Sequence, residues 1–210
     1  MSTQSIGQIW HFFEEELNYP IHLVEPDQID NVDLDDYNVL ILPEGFYVLE
    51  ADFLSKLKLW VSSGGKLIAL GTGIRQLAGK EGFAIKSLTK EEVKNGTDPE
   101  PAHYPEAYAS TRRKSLSEDI GGAVFQTKMD RTNPLAFGLG EFYLTLKTSP
   151  ATYAWLPAEG NAIFLDKNPT YYGFAGYKAL EKINKSLVAG LESMGKGSVV
   201  YVVDNPLFGY

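Results

Sequence analysis

"KLIALGTGIRQLAG", residues 66–79, is the stretch on which the fold turns. An apolar strand, Lys66 to Leu70, runs into Gly71-Thr72-Gly73, and a helix-like segment follows at once. Strand, glycine turn and helix in immediate succession mark a joint of an α/β sheet. In many α/β enzymes this joint lifts a nucleophile out of the sheet. Thr72 is the one side chain in the turn able to attack anything, and it would need a base. Glycines that merely let the chain turn sharply account for the same pattern, and that plainer reading takes precedence.

Working outward, the flanks repeat the α/β alternation. Ser5-Ile6-Gly7-Gln8 has the form of a capping box, and Ile6, Ile9, Trp10, Phe13 and Leu17 then keep helical spacing to Asn18. Ile21 to Glu25 is predicted to be a short strand. Asn38 to Leu42 is predicted to be a strand, apolar throughout from Val39, as in strands covered on both faces of a parallel sheet. Phe53, Leu57, Trp60 and Val61 give an amphipathic helix closed by Gly64-Gly65. These elements predict a doubly wound, mostly parallel sheet with helices on both faces. A right-handed crossover normally places a strand ahead of the first helix. The expectation is therefore an upstream strand outside the sequence, with residues 1–210 forming one domain excerpted from a longer polypeptide and Met1 not its natural start.

Downstream the pattern changes. Residues 88–117 form a polar, Pro- and Gly-containing excursion. A β-rich segment follows, with strands expected at 123–129, 142–146, 152–156 and 162–165. The span 173–184 is helical or loop, best helical at 178–182, and further strands fall at 187–191 and 198–203. The aromatic run Tyr171-Tyr172-Gly173-Phe174 with Tyr177 is expected to pack under a loop rather than to form a sugar or protein contact surface.

Composition narrows the function classes. The 210 residues carry 27 acidic against 19 basic side chains, a net charge of −8. An acidic surface disfavours nucleic acid and anionic membranes as partners. The one basic cluster, Arg112-Arg113-Lys114, reads as a solvated face. Absence of cysteine excludes disulfides, thiolate metal sites and a Cys nucleophile. No apolar run approaches the roughly 20 residues of a membrane span, and the first residues lack a signal-peptide pattern.

Few residues present themselves for chemistry. Backbone N–H groups near Gly73 and Ile74 could hold an anion or oxyanion, with Pro43-Glu44-Gly45 facing the same spot. Ligands of open α/β sheets bind at the carboxyl ends of strands. Asp204, just beyond the last strand, is at such an end, although Asp204-Asn205-Pro206 is also a good turn. The candidate ligand-binding set is thus Glu44, Gly45, Thr72, Gly73, Ile74 and Asp204. His11 and Glu14 spell HxxE, a spacing seen in zinc sites, but a third ligand is lacking. The other histidines, His22 and His103, have no evident partner. Asp33, Asp35 and Asp36 read as a solvated loop, since a calcium loop would add a glycine and a closing Glu. No metal site is assigned.

Several strings together resemble a known family: "IGQIWHFFEEELNYPIHLV", "YNVLILPEGFY", "WVSSGGKLIALG", "NPLAFGLG" and "GKGSVVYVVDNPLF". From Ile6 to Phe208 the chain resembles the C-terminal domain of large bacterial zinc carboxypeptidases, the carboxypeptidase A-like metallopeptidases. That resemblance implies a flavodoxin-like fold of the class I glutamine amidotransferase type. It implies a periplasmic or secreted protein of proteolysis, whose zinc lies in a separate catalytic domain of the same polypeptide. The amidotransferase elbow is G-x-C-x-G. Here Gly71 or Thr72 stands at the Cys position, according to register. Pro43-Glu44-Gly45 is similar to the oxyanion loop, with Glu44 in place of a glycine. Asp204-Asn205-Pro206 stands where the family's His and Glu follow the last strand.

The resemblance therefore implies an emptied elbow at Gly71, Thr72 and Gly73, no catalytic residue, and no cofactor in this chain. The function expected is that of an accessory domain supporting or orienting the peptidase domain. Two alternatives stand beside it. One is a small-ligand or sugar-binding module at the 71–74 turn. The other is a hydrolase with Thr72 as nucleophile and Asp204 as the only nameable base.

Overall fold

The computed structural model describes residues 2–88, 108–157 and 160–208. They form an α/β protein with a mixed six-stranded sheet and a separate three-stranded antiparallel sheet. Helix α1 spans Thr3–His11 and passes into a π-helical turn, Phe12–Glu16. Strand β1 is Val39–Leu42, helix α2 Ala51–Ser63 and strand β2 Lys66–Leu70. Then come α3 (Tyr108–Glu118), β3 (Gly122–Gln126), β4 (Lys128–Met129), β5 (Leu144–Lys147), β6 (Asn161–Leu165) and β7 (Tyr171–Phe174). The last elements are α4 (Tyr177–Ile183), β8 (Ser186–Met194) and β9 (Gly197–Val202).

The large sheet has the order β1-β2-β9-β8-β6-β4. Its pairings β1·β2 and β2·β9 are parallel, and from β9 through β8 and β6 to β4 they are antiparallel. Parallel pairing is thus confined to one half. The reason is local: Gly195-Lys196 joins β8 to β9 as a tight hairpin, and a two-residue link permits only antiparallel neighbours. The small sheet has the order β5-β3-β7.

The apolar spacing read from the sequence explains α2. Phe53, Leu57, Trp60 and Val61 are its buried positions. They form one core with Leu42 of β1, Leu67 and Ala69 of β2, and Val199 and Tyr201 of β9. Each such side chain stabilises the fold by about 2 kcal/mol through area removed from water. The helix stops at Gly64, whose φ of 136° is open to glycine, and Gly65 N–H closes the turn on the Trp60 carbonyl at 3.1 Å. A second core gathers Ile120, Phe125, Ala162, Leu165 and Val188 with Ala179 and Ile183 of α4.

Several expected elements differ. The first helix is capped by Ser2, whose Oγ accepts from Ser5 N–H. Ser5 is instead buried, with its Oγ accepting from Glu44 N–H at 3.2 Å, so a tertiary partner outbids the local capping box. Residues 21–25 are not a strand, because among the described residues no neighbouring strand pairs with them. The helix-like segment after β2 is a short 3-10 helix, Gly71–Gln76. Residues 152–156 supply only an isolated bridge, Tyr153 to Ser87. Residues 171–174 are strand β7 with every residue exposed, Tyr172 at 73%. Among the described residues Tyr171 alone of the run has a ring partner, Phe125 at 5.2 Å, and the exposure of all four residues makes the run surface rather than core. The eleven-residue α3 falls at the end of the span expected to be a polar excursion, and 89–107 lie outside the described residues. Arg112, Arg113 and Lys114 are exposed on α3, as read.

A buried polar cluster ties the small sheet to the end of β9. Lys147 at the end of β5 donates to Asp204 Oδ1 at 2.8 Å, with side-chain exposures of 1% and 9%. Thr145 Oγ1 donates to the other carboxylate oxygen, Oδ2, also at 2.8 Å. Removing one member of a buried pair leaves an uncompensated charge. We expect Lys147→Met to cost about 3–5 kcal/mol in denaturant unfolding, and the added replacement Asp204→Leu to recover more than half of that loss.

Candidate functional site

Strands β1, β2 and β9 point the same way, so Pro43-Glu44-Gly45, Gly71-Thr72-Gly73 and Asp204-Asn205 leave the sheet at one end. This is the crevice where an open α/β sheet places ligands. Glycine at 71 is favoured by a left-handed backbone, with the flexible Glu44 side chain packed against it. Its φ is +50°, and a Cβ there would lie 2.0 Å from Glu44 Oε1. Glu44 thus lays its carboxylate directly over the turn. Gly73 is required by close approach, since a Cβ would meet the Pro43 and Leu42 carbonyl oxygens at 2.6 and 2.7 Å.

The crevice is laced by side chains. Thr72 Oγ1 accepts from Gly45 N–H at 2.9 Å. Asn205 Nδ2 donates to Gln8 Oε1 at 2.7 Å and to Glu44 Oε2 at 3.3 Å. Ser2 N–H donates to the Glu44 carbonyl at 3.0 Å, so α1 closes over the loop. The Tyr47 hydroxyl donates to the Pro43 carbonyl at 2.9 Å. Burial pushes that hydroxyl above the ordinary phenol range, which keeps it a donor. Gln76 holds both backbone groups of the next turn, accepting from Leu49 N–H and donating to the Tyr47 carbonyl.

Of the residues singled out in the sequence, Glu44, Gly45, Thr72 and Gly73 come together here. Ile74 is fully buried beneath them in the first core, so its side chain lines no opening. Asp204 leaves the same strand end but turns toward β5, where Lys147 and Thr145 occupy both its oxygens. Ser5, Gln8, Asn205 and Lys147 were not singled out as site residues. Their roles depend on α1 and β5 crossing the crevice, which no local spacing encodes.

The HxxE pair does not assemble. Glu14 Oε1 is taken by Ile21 N–H at 3.1 Å, while His11 Nδ1 is buried with no hydrogen-bond partner. Among the described residues no three His, Asp or Glu side chains converge on a metal position. His22 bonds Tyr37 through its Nδ1, and His103 lies outside the described residues. Asp33, Asp35 and Asp36 are exposed, with Asp33 capping Asp35 N–H at 3.1 Å. No helix among the described residues is long and apolar enough to cross a membrane.

No family model matches the sequence, and no curated protein does. Solved structures match in fold. A β-galactosidase from Bacillus circulans sp. alkalophilus superposes with a TM-score of 0.52 at 13% identity, over 98% of this chain and 25% of that one. The N-terminal domain of mmIFT52 gives 0.52 at 12%, over 98% and 80%. A ThuA-like protein from Parabacteroides merdae gives 0.50 at 12%, over 96% and 74%. The chain spans about a quarter of the length of the first solved structures it matches. At such identities the likeness is one of fold.

The lacing has a measurable consequence. Gly73→Ala must push the turn off the β1 carbonyls, and we expect a loss of about 1–3 kcal/mol. Thr72→Ala strips Gly45 N–H of its acceptor and is expected to cost about 1–2 kcal/mol, with Thr72→Ser restoring most of it. Thermal unfolding of the three variants measures both.

Proposed function

We propose that this chain is a non-catalytic domain of the flavodoxin-like, class I glutamine amidotransferase type. In this reading it supports or orients the catalytic domain of a secreted or periplasmic bacterial zinc carboxypeptidase. The family strings carry the assignment of the partner domain. The match to a ThuA-like protein, a glutamine amidotransferase-like fold, is in keeping with the type of domain.

One observation carries the non-catalytic part. The polar groups at the strand ends are engaged with one another. Thr72 Oγ1 serves as acceptor for a backbone N–H, Asp204 is neutralised by Lys147, and Glu44 covers Gly71. An acyl-transfer site needs a nucleophile bonded to a base and N–H donors aimed at a developing oxyanion. Here the nearest candidate base is locked by a lysine and a threonine. A carboxylate over the turn would repel the negative charge such a site must stabilise. Any zinc-activated water belongs, in this reading, to the separate peptidase domain.

The test is a turnover screen of the chain with amide, ester and C-terminal peptide substrates, with and without added zinc, beside Thr72→Ala. The expected outcome is no turnover in either protein. Joined to its peptidase domain, the chain is expected to leave zinc-dependent release of C-terminal residues unaffected by Thr72→Ala. Turnover of the isolated chain that vanishes with Thr72 would sink the non-catalytic reading.

A further inference from the structure

The small sheet buries one face and leaves the other apolar. In β3, Ala123 and Phe125 point inward and belong to the second core, so strand alternation turns Gly122, Val124 and Gln126 outward. Directly opposed residues of antiparallel strands share a face, which places Leu146, Val124 and Tyr172 in one outward row. Gly122 and Phe174 continue the face on one side of that row, and Gln126 and Leu144 on the other. The outward positions of the three strands thus carry one polar amide, Gln126, and no charge. An antiparallel sheet whose outer face meets water alternates polar residues outward, and this one does not.

The apolar groups stand well into solvent. Tyr172 is 73% exposed, Phe174 52% and Leu144 52%, with Phe142 at 46% two residues ahead of Leu144. Taking about 150–250 Å² for a whole aromatic side chain, these groups with the part-buried Val124 and Leu146 present on the order of 500 Å² to water. The same area on two partners amounts to about 1,000 Å², the threshold of a specific interface. Apolar side chains scattered singly over a surface call for no partner. A register that gathers them on one uncharged face does.

Charge selects the occupant. The chain has a net charge of −8, yet from Asn168 to Tyr177, the run that contains β7, there is no acidic or basic residue. A partner drawn by the acidic surface would be basic and would find no carboxylate on this face. The complement of an uncharged apolar face is another of the same kind, and a second copy of the chain presents one. Two acidic chains meet there without apposing like charges. Stacking of the faces fits better than pairing of the β7 edges, because Gly173 adopts φ 110° and bends that edge.

We propose that the outer face of the small sheet is the interface of a symmetric dimer, in which the sheet of one copy lies on that of a second across a two-fold axis. An isologous contact uses the same patch twice, so the row Leu146, Val124 and Tyr172 is covered in both copies. The contact does not depend on which catalytic domain the chain serves.

Sedimentation of the 210-residue chain over a range from about 1 to 200 µM tests it, since an interface of this size should dissociate with a constant on the order of 10 µM. The mass is expected to rise from one chain to two across that range. Tyr172→Lys should weaken association at least about tenfold, because it places an unpaired charge in the contact of both copies. Leu59→Lys, which charges a comparably exposed side chain on α2, should leave association unchanged. Both variants are expected to melt within about 2 °C of the parent at a concentration where the parent is monomeric, since exposed positions bear little on stability. Hydroxyl-radical labelling of the unaltered chain gives a second reading. Leu144, Tyr172 and Phe174 should lose about half of their labelling or more at high concentration, while Leu59 keeps its own. A chain that stays monomeric at the highest concentration with Tyr172 still labelled overturns the proposal. So does a dimer that survives Tyr172→Lys or protects other residues instead. Were the face reserved for a separate domain or protein, the chain alone would give the first of those two results.

Discussion

The pair Lys147–Asp204 joins the two halves of the molecule. Asp204 stands just past the parallel strands, and Lys147 ends β5, an edge strand of the small sheet. With both side chains almost wholly out of water, neither charge has a substitute partner in solvent. A buried pair of this kind adds little net stability compared with apolar packing, but it is costly to break. It therefore acts as a constraint on where the small sheet can dock. The lysine reaches only one carboxylate oxygen, and Thr145 from the same strand takes the other. Two ligands from one strand fix both position and rotation of that carboxylate.

That constraint also decides what the end of the sheet can do. An α/β crevice is a place for chemistry because backbone donors and side chains project there without having to satisfy one another. In this chain they do satisfy one another. Asn205 spans Gln8 of the first helix and Glu44 of the β1 loop, and Thr72 receives a loop N–H. Each bond is of ordinary geometry and modest worth. Their joint effect is a closed polar seam at the strand ends, shaped by a turn in which Gly73 allows close approach to the β1 end.

The opposite side of β1 shows the contrary condition. There, among the described residues, β1 has no second strand partner and the neighbouring walls are apolar, so the strand ends are polar and closed while this side is apolar. Edges of this kind invite strand pairing. The two features share an origin in the path of α1, which bonds across the crevice through Ser2, Ser5 and Gln8 and lines the apolar side through Ile6 and Ile9.

Much of the architecture was legible in local patterns. The period-3.6 spacing at Phe53, Leu57, Trp60 and Val61 gives α2, and the apolar runs give β1, β2, β8 and β9, because burial on one stripe or both faces is what those patterns encode. The strand-turn joint at Gly71-Thr72-Gly73 was legible for the same reason. Local patterns failed where a distant group supplied the deciding bond. Ser5 left its capping role for Glu44, residues 21–25 lacked the neighbour that would make them a strand, and Tyr172 and Phe174 paired with β3 at the surface instead of entering a core. By itself the sequence determined which segments are apolar, where the chain can turn, and that no cysteine chemistry is open to it. Only the tertiary structure decided that Asp204 faces a lysine rather than Thr72, and that Glu44 covers the turn, because the first contact joins residues 57 positions apart and the second joins two different strand ends, and both meetings depend on the packing of whole elements.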